Sequence, residues 1–298
     1  MTQRLNAWVQ LVRPHEWVKN LFVFAPLIFA ERLFDVGDIS RAAWAFGTFC
    51  VATSVVYIVN DVLDRHSDRH HPMKQHRPLA SGTIAVRDAL GLASALVAVV
   101  ELVTAQRGFA LWLVINAYLV LGLLYSCYLK RKVIVDALTI AVGFVLRVLA
   151  GSVAIRVRLS EWLILCTFLL AVFLSFSKRR HELIQLGTSS ETHRSVLAFY
   201  SAEFLDQMNL ITITLTLTCY IFYTIAPETV ARFGTRHLVF SVVLVMFGMF
   251  RYLFLIHKKQ KGSPVEVLYA DRQIVLILLL WLLYIVGCLY VIPSALRP

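Results

Sequence analysis

Charged residues are scarce in this chain of 298 residues. They make up 16% of it, whereas 59% of the residues are hydrophobic. A soluble domain carries about 25% charged residues, so this composition excludes an ordinary water-soluble globular protein. The mean hydropathy is +0.72, and apolar runs recur at lengths near the ~20 residues that a helix needs to cross a bilayer. These features predict an all-α, polytopic membrane protein.

Paired cysteines and a signal sequence are also missing. The five cysteines are scattered through apolar segments without a paired spacing, which argues against a disulfide framework or a zinc site. The first residues lack a basic start, an apolar core and a small-residue cleavage site, so no cleavable signal peptide is expected. The formal net charge is +11. In a membrane protein this excess indicates basic loops and anionic substrates, and we expect no nucleic acid partner.

Nine apolar segments are candidates for spanning helices, and no polar stretch is long enough for a separate soluble domain. We therefore predict one integral-membrane catalytic domain over residues 1–298, in a cell (inner) membrane, with residues 1–20 as an amphipathic interfacial segment. Lys and Arg are concentrated in loops that share one side if the amino terminus is cytoplasmic, which predicts that orientation. The predicted spans lie near 20–35, 43–61, 88–106, 109–127, 134–153, 160–177, 207–225, 236–256 and 273–292.

Two inner loops, at about 62–87 and 178–206, are long and carry charges of both signs. The outer loops are short. We therefore expect the active site to face the cytoplasm.

One acidic stretch closes the second predicted span. It reads Asn60-Asp61-Val62-Leu63-Asp64-Arg65-His66-Ser67-Asp68. On a helix its three aspartates stand at i, i+3 and i+7 and share one face with the asparagine. Like charges at this spacing require a cation, and oxygen donors at an open site suit Mg²⁺, which also binds substrate phosphates. The alternative is a solvated polar helix end. The predicted metal ligands are Asn60, Asp61, Asp64 and Asp68.

The loop after this stretch carries two basic residues of interest. Pro72 is expected to end the helix at or just before His71, so that Lys74 and Arg77 return toward the acidic face. Carboxylates that hold a metal beside cations that hold phosphate oxygens are what a metal–diphosphate site requires. The alternative is that both residues only follow the bias of basic residues toward the cytoplasm.

The acidic stretch resembles the first aspartate motif of the UbiA-type intramembrane prenyltransferase superfamily. The nine predicted helices and the cytoplasmic active side are similar to that superfamily as well. Its aromatic prenyltransferases have a second Asp-x-x-x-Asp motif after the sixth helix, whereas this chain reads Ser177-Lys178-Arg179-Arg180-His181-Glu182-Leu183 there. This departure argues against a second aspartate-bound magnesium and favours direct contacts between cations and a phosphate.

The basic segment is similar to the polyprenyl-phosphate (decaprenyl-phosphate) 5-phosphoribosyltransferase branch. That resemblance implies Mg²⁺-dependent transfer of 5-phosphoribose from phosphoribosyl pyrophosphate (PRPP) to a polyprenyl phosphate, with release of diphosphate, for cell-wall polymers. A homotrimer is also suggested by the family. Further matches are Arg13 to Asn20, Lys74 to Pro78, Tyr125-Ser126 with Lys130, Gly143 to Arg147, and the loop Ser263 to Val267 leading to Asp271-Arg272.

Several other charged residues are candidates for substrate contacts. An isolated charge at the centre of a spanning helix costs about 2.5–3.5 kcal/mol, so Arg147 is expected to face the bundle interior. Its expected partner is a ligand phosphate or a carboxylate on another helix, and Asp136 is the alternative. Glu182 is a candidate for binding a ribose hydroxyl or a metal. The remaining predicted phosphate contacts, for which the alternative is snorkelling at the interface, are Lys19, Tyr125, Lys130, Lys178 and Arg179.

Two other functions stay open at this point. An aromatic prenyltransferase would use the same acidic stretch with a prenyl diphosphate donor. A transporter is a further alternative, because charges within a membrane also mark ion paths. The sequence has no inverted repeat that we recognise, and a transporter leaves the acidic face unexplained.

Overall fold

The computed structural model describes residues 2–70, 74–186, 195–258, 267 and 271–291. These residues form helices and turns with no strand among them, which confirms the predicted all-α class. Eight helices in this part of the chain are long and apolar enough to cross a membrane. The chain divides into two compact units, Met1–Arg158 with Ser189–Phe199 and Leu159–Thr188 with Tyr200–Pro298. The single catalytic domain over 1–298 stays a prediction.

The first unit contains the amino-terminal helices. In order, they are α1 (Thr2–Val12), α2 (Ala25–Phe29), α3 (Val36–His70), α4 (Val86–Arg107), α5 (Phe109–Cys127) and α6 (Val135–Ile155). A 3-10 helix over Pro14–Phe24, here called the 3-10 segment, connects α1 to α2. A shorter 3-10 turn, Leu129–Arg131, follows α5.

The span expected near residues 20–35 is not one continuous helix. The 3-10 segment occupies its first part, and the five residues of α2 follow. Pro26 lies in the first turn of α2, where its missing N–H is tolerated. In one continuous helix through this segment it would be an interior residue and could not donate the backbone hydrogen bond expected there. Glu31 then has a left-handed backbone, with φ 58°, just beyond α2. The count of nine spanning helices is therefore not confirmed by the described residues, whereas the other eight predicted spans each coincide with a helix.

Helix α3 carries the acidic stretch and is much longer than its predicted span. Its 35 residues rise about 52 Å, which exceeds the ~30 Å hydrocarbon core of a bilayer. Asp38 in its first turn and Arg69 and His70 in its last turn complement the helix dipole. Because the helix continues to His70, the stretch from Asn60 to Asp68 is helical and extends beyond the apolar part.

Helix α1 and the 3-10 segment pack closely on neighbouring helices. Leu11 of α1 is fully buried in a cluster with Ile58 and Val62 of α3. On α6, Gly151 lies so close to the 3-10 segment that a Cβ there would be 1.9 Å from the carbonyl oxygen of Val23. These contacts fix the segment that carries Arg13 to Asn20 against α3 and α6.

The second unit contains five further helices among the described residues. They are α7 (Glu161–Leu186), α8 (Ala202–Ile225), α9 (Pro227–Phe233), α10 (Ser241–Lys258) and α11 (Arg272–Val286), which ends in a π turn over Gly287–Val291. Phe173, Ile213 and Tyr252 form part of its buried core. Helix α7 runs nine residues past the predicted span end at 177, so the predicted loop 178–206 begins as helix. Residues 187–194 of that loop lie outside the described residues.

Candidate active site

Asp61 is the buried centre of the charged cluster in the first unit. Its side chain is 2% exposed, and Nη2 of Arg13 lies 2.6 Å from its Oδ1 and 2.8 Å from its Oδ2. A carboxylate buried without a partner would be costly, because it loses the solvation that water provides. The guanidinium of Arg13 supplies charge-assisted hydrogen bonds instead.

The loop after α3 returns to the acidic face, as its sequence predicts. Nη1 of Arg77 donates to Oδ2 of Asp68 at 2.7 Å and to Oδ1 of Asp61 at 3.1 Å. A turn in which the N–H of Arg77 donates to the carbonyl of Lys74 places this side chain. Lys74 is close enough for its charge to act on Asp68. The helix is predicted to end at or just before His71 because of Pro72, and residues 71–73 lie outside the described residues.

The other half of the acidic face is bound by Lys130. Its Nζ donates to Oδ1 of Asn60 at 3.2 Å and also to Oδ1 of Asp64. The amide of Asn60 in turn donates to Oδ2 of Asp64 at 3.0 Å, one helical turn away. Lys130 comes from the short 3-10 turn after α5, so residues 70 positions apart in sequence meet here. Half-buried Tyr125 is one turn earlier, near the end of α5.

Lys19 and Glu16 of the 3-10 segment extend the cluster. The ammonium group of Lys19 pairs with Glu16, and the hydroxyl of Tyr57 donates to Oε2 of Glu16 at 3.3 Å. Burial lowers the pKa of Lys19, but Tyr57 and Glu16 raise it by more, so the net pKa lies above the ordinary value. Lys19 therefore stays protonated throughout the physiological pH range.

Arg13, Glu16 and Tyr57 are site residues that the sequence interpretation missed. The sequence predicts an interfacial position for Arg13 and places it in the segment Arg13 to Asn20 that matches the related branch, but it assigns Arg13 no role at the site. Tyr57 could have been found, because it stands four residues before Asp61 and so on the same helix face. Sequence spacing contains no comparable signal for Arg13, which is 48 residues from Asp61.

Arg13 has an unusual backbone as well as an unusual contact. Its φ is 55° and its ψ is 59°, the left-handed region, which costs a non-glycine residue roughly 1–2 kcal/mol. Burial lowers the pKa of Arg13, but Asp61, Tyr57 and Glu16 together raise it by more, so the pKa lies above its ordinary value. Its guanidinium also lies 4.9 Å from the ring centroid of Tyr57. The strained bend between α1 and the 3-10 segment thus places a permanent cation at Asp61.

The oxygen donors at the end of α3 fit a magnesium ion, although they do not enclose one by themselves. Among the described residues, no three His, Cys, Asp or Glu side chains are close enough together to hold a metal. Asn60 and Asp64 nevertheless direct two oxygens at one cation, the ammonium of Lys130. Mg²⁺ characteristically takes one or two carboxylates and completes its octahedron with waters and substrate phosphates. The donor set is therefore of the kind that Mg²⁺ uses together with a phosphate ligand.

Arg147 is buried on α6, with 5% of its surface exposed, and its observed partners are neutral. Nε donates to Oδ1 of Asn20 at 2.8 Å, Nη1 to the carbonyl of Gly143 at 2.7 Å and Nη2 to the hydroxyl of Tyr118 at 3.1 Å. None of the ion pairs among the described residues involves Arg147, so neither Asp136 nor a carboxylate on another helix is its ion-pair partner. The guanidinium also faces three aromatic rings, those of Phe49, Tyr118 and Phe144.

The remaining predicted residues lie on α7 in the second unit. Nη1 of Arg179 donates to Oε2 of Glu182 at 2.7 Å, and Nζ of Lys178 lies 3.9 Å from Oε1 of the same carboxylate. Arg179 is almost fully buried, whereas Lys178 is partly exposed. The structure thus brings these three residues together on one helical turn. Of the predicted loop Ser263 to Val267, residues 263–266 lie outside the described part of the chain.

Spanning helices, with a charged cluster of carboxylates and basic side chains at the end of α3, define a polytopic membrane protein. The sequence model of the UbiA prenyltransferase family matches residues 21–283. The chain therefore belongs to the UbiA prenyltransferase family, and its relatives identify it as a transferase.

Several relatives match nearly the whole chain. The decaprenyl-phosphate phosphoribosyltransferase of Corynebacterium glutamicum is 31% identical over 97% of this chain and 88% of its own length. The enzyme of the same name from Mycobacterium tuberculosis is 30% identical over 92% of this chain and 91% of its own. A solved UbiA homolog from Archaeoglobus fulgidus, bound to DMAPP and Mg²⁺, matches with a TM-score of 0.73 at 18% identity, over 95% of this chain and 99% of that one. That likeness establishes the fold.

Proposed function

We propose that this protein is a Mg²⁺-dependent glycosyltransferase that moves 5-phosphoribose from PRPP to a polyprenyl phosphate and releases diphosphate. The observation that supports this most directly is the cluster at the end of α3. There each carboxylate of the acidic stretch has a basic partner, Asp61 with Arg13 and Arg77, Asp64 with Lys130, and Asp68 with Arg77. Similarity to the decaprenyl-phosphate phosphoribosyltransferases over most of the chain supports the choice of donor and acceptor.

The leaving group of PRPP is a diphosphate on C1 of ribose, and the cluster offers it both kinds of partner. Asp61 and Asp64, supported by Asn60 and Asp68, would hold Mg²⁺, which neutralises the charge that develops on a departing diphosphate. Lys74 and Arg77 would donate directly to its oxygens. Arg77 bridges Asp61 and Asp68. Its guanidinium therefore already lies at the site where the diphosphate would bind.

The reaction at C1 makes modest demands on acid–base chemistry. As the C1–O bond to diphosphate breaks, C1 gains oxocarbenium character, as in glycoside chemistry. An oxygen of the lipid phosphate then bonds to C1. A phosphate monoester has its second pKa near ~6, so it is largely a dianion at neutral pH and needs no strong general base. The reaction therefore needs residues that hold phosphates in place, and the basic side chains of this site can do so.

The other predicted contacts are part of the same proposal. The basic groups that would hold the 5-phosphate or the lipid phosphate are Lys19, Lys130, Lys178 and Arg179, with the hydroxyl of Tyr125. Glu182 would bind a ribose hydroxyl or a metal. Arg147 is proposed as a phosphate contact too, but its hydrogen bonds to Asn20 and Tyr118 support an equally specific role in holding the 3-10 segment.

We further propose that the protein is placed in the cell (inner) membrane with its amino terminus and active site on the cytoplasmic side. The support for this orientation is the concentration of Lys and Arg in the predicted inner loops. PRPP is water-soluble, so a site open to the cytoplasm would receive it directly, while the polyprenyl phosphate would come from the bilayer. A homotrimer stays a prediction from the family.

The experiment that tests this function uses the purified full-length chain in lipid nanodiscs. Labelled PRPP, a polyprenyl phosphate and Mg²⁺ should give a labelled lipid and one diphosphate per transfer, and excess EDTA should stop the reaction. The matched variants are Asp61→Asn, which should be inactive, and Asp88→Asn, an exposed carboxylate on α4, which should keep activity. Product from a prenyl diphosphate and an aromatic acid, with none from PRPP, would refute the proposal.

A further inference from the structure

Asp61 is covered by arginine side chains on both of its oxygens. Arg13 contacts the two oxygens at 2.6 and 2.8 Å, and Arg77 contacts Oδ1 at 3.1 Å. With 2% of the Asp61 side chain exposed, solvent hardly reaches these oxygens. A metal ion could therefore bond to this carboxylate only if a guanidinium moved away from it.

The residue that contacts Asp61 also has a strained backbone. Arg13 is held in the left-handed region between α1 and the 3-10 segment, and it precedes Pro14, which disfavours helical backbone angles at the preceding residue. Strain of this kind persists only where the surroundings fix it, and it is concentrated at functional sites. Here it directs a cation onto the most buried carboxylate of the acidic stretch.

The two ligands of the proposed reaction would act on this pair in opposite ways. A divalent cation alone is repelled by the guanidinium of Arg13, because both are positive and little water separates them. A diphosphate attracts the same guanidinium, whose planar fork of N–H donors matches phosphate oxygens. When Arg13 donates to a diphosphate oxygen, Oδ2 of Asp61, which Arg77 does not contact, becomes available to the cation.

We propose that Arg13 is a positioning residue that withholds Asp61 from a divalent cation until a diphosphate-bearing ligand takes its guanidinium. Cation and diphosphate then bind with positive coupling, each raising the affinity of the other by the same factor. This inference rests on the proposed function for the identity of the diphosphate-bearing ligand. The exchange of partners itself depends only on Arg13, Asp61 and the diphosphate group.

The test measures Mn²⁺ binding to the full-length protein in nanodiscs from the electron paramagnetic resonance signal of free Mn²⁺. The titration is made without and with inorganic diphosphate, and Mn²⁺ bound by diphosphate in protein-free nanodiscs is subtracted. For the wild-type protein, we expect diphosphate to tighten Mn²⁺ binding by at least about tenfold. Arg13→Gln should bind Mn²⁺ alone about tenfold more tightly than the wild type and show little further gain with diphosphate.

Three further variants make the result specific. Arg13→Lys keeps the charge but loses the planar fork, so its affinity for Mn²⁺ alone should lie between the other two. Arg107→Gln removes one arginine charge from the exposed end of α4 in the same unit and should bind like the wild type. Asp61→Asn added to Arg13→Gln should abolish the gain.

Equal Mn²⁺ affinities in the wild type, Arg13→Gln and Arg13→Lys would overturn the proposal, as would an equal gain in Arg107→Gln. If Arg13→Gln does not fold, Arg13→Lys alone decides between these outcomes. Transfer from PRPP is not measured in this experiment. If the protein shows the expected Mn²⁺ binding but makes no lipid product, this inference stands and the proposed function fails. If it makes the lipid product but lacks the expected Mn²⁺ binding, the proposed function stands and this inference fails.

Discussion

Nε of Arg147 donates a hydrogen bond to Oδ1 of Asn20 at 2.8 Å, and this contact joins α6 to the 3-10 segment across 127 positions of sequence. Asn20 is fully buried and is also contacted by the hydroxyl of Thr53 on α3. The same 3-10 segment carries Glu16 and Lys19 of the charged cluster. Arg147 is therefore tied to the site through the segment that it holds.

The first prediction separates the two roles of Arg147. Replacing Arg147 by Ala should destabilise the protein by about 1–3 kcal/mol for each buried partner left unsatisfied. If Arg147 acts by holding the 3-10 segment, Asn20→Ala should reproduce the kinetic defect of Arg147→Ala. If it binds a phosphate directly, only Arg147→Ala should raise the KM for PRPP. Thermal unfolding and steady-state kinetics measure both, with the exposed Arg107→Ala as the control.

The second prediction concerns Asp64, the carboxylate that pairs with Lys130. Asp64→Asn keeps the size of the side chain but weakens any bond to a metal. We expect transfer to fall at least about 100-fold, since metal stabilisation of a leaving group contributes several kcal/mol. Stability should change little, because this side chain is 28% exposed. A variant that folds and retains more than half of the wild-type rate would exclude Asp64 as a metal ligand.

The third prediction tests the close approach between α6 and the 3-10 segment. A Cβ at Gly151 would lie 1.9 Å from the carbonyl oxygen of Val23 and 2.9 Å from its carbonyl carbon, so the backbone must shift. Gly151→Ala should destabilise the protein by about 1–3 kcal/mol and reduce activity. Gly91→Ala on α4 is the control, because nothing lies within 4 Å of its added Cβ, and it should stabilise that helix by roughly 0.5–1 kcal/mol. Equal melting temperatures for the two variants would contradict this.

The fourth prediction concerns Asp271, which caps α11 in the second unit. Its Oδ1 accepts hydrogen bonds from the backbone N–H groups of Gln273 and Ile274, and Nη2 of Arg251 donates to its Oδ2 at 2.7 Å. Losing the cap in Asp271→Ala should cost about 1 kcal/mol. Asp271→Asn retains a capping oxygen and should cost less of the capping energy.

The pH dependence of stability arises from the same contacts. The hydrogen bond from Arg251 holds the pKa of Asp271 below its usual value, although burial acts in the opposite direction. A carboxylate with a depressed pKa in the folded state stabilises the protein above its unfolded pKa of about 3.9. The advantage of the wild type over Asp271→Asn should thus be constant near neutral pH. It should shrink as the pH falls below about 4, toward the folded pKa. A constant difference down to pH 2 would contradict this.

The acidic stretch shows what local periodicity can predict. The spacing of Asp61, Asp64 and Asp68 places them on one helix face, and the structure has them there on α3. The return of Arg77 to that face follows from the short loop after the helix. Both relationships depend on residues close together in sequence, so the pattern contains the geometry.

Contacts between residues far apart in sequence could not be predicted from the sequence pattern. Asp64 meets Lys130 and Asp61 meets Arg13 because α1, α3 and the turn after α5 pack together, and charge spacing does not determine that packing. The sequence interpretation therefore expected a metal or a ligand as the counter-charge of Asp61, where the structure has Arg13. Likewise, hydropathy alone did not show that the segment near 20–35 is a 3-10 segment followed by the short α2, or that α7 continues through Lys178 and Glu182.

The left-handed bend at Arg13 makes the amino-terminal region more sensitive to length than to composition. Each residue added to a helix rotates the segment before it by about 100° relative to the segment after it. A one-residue insertion between Leu11 and Arg13 would rotate either the buried face of α1 away from α3 or the guanidinium away from Asp61. Substitutions on the exposed face of α1 do not change the rotation of α1 relative to Arg13. The protein should therefore tolerate substitutions on the exposed face of α1 far better than insertions or deletions between α1 and Pro14.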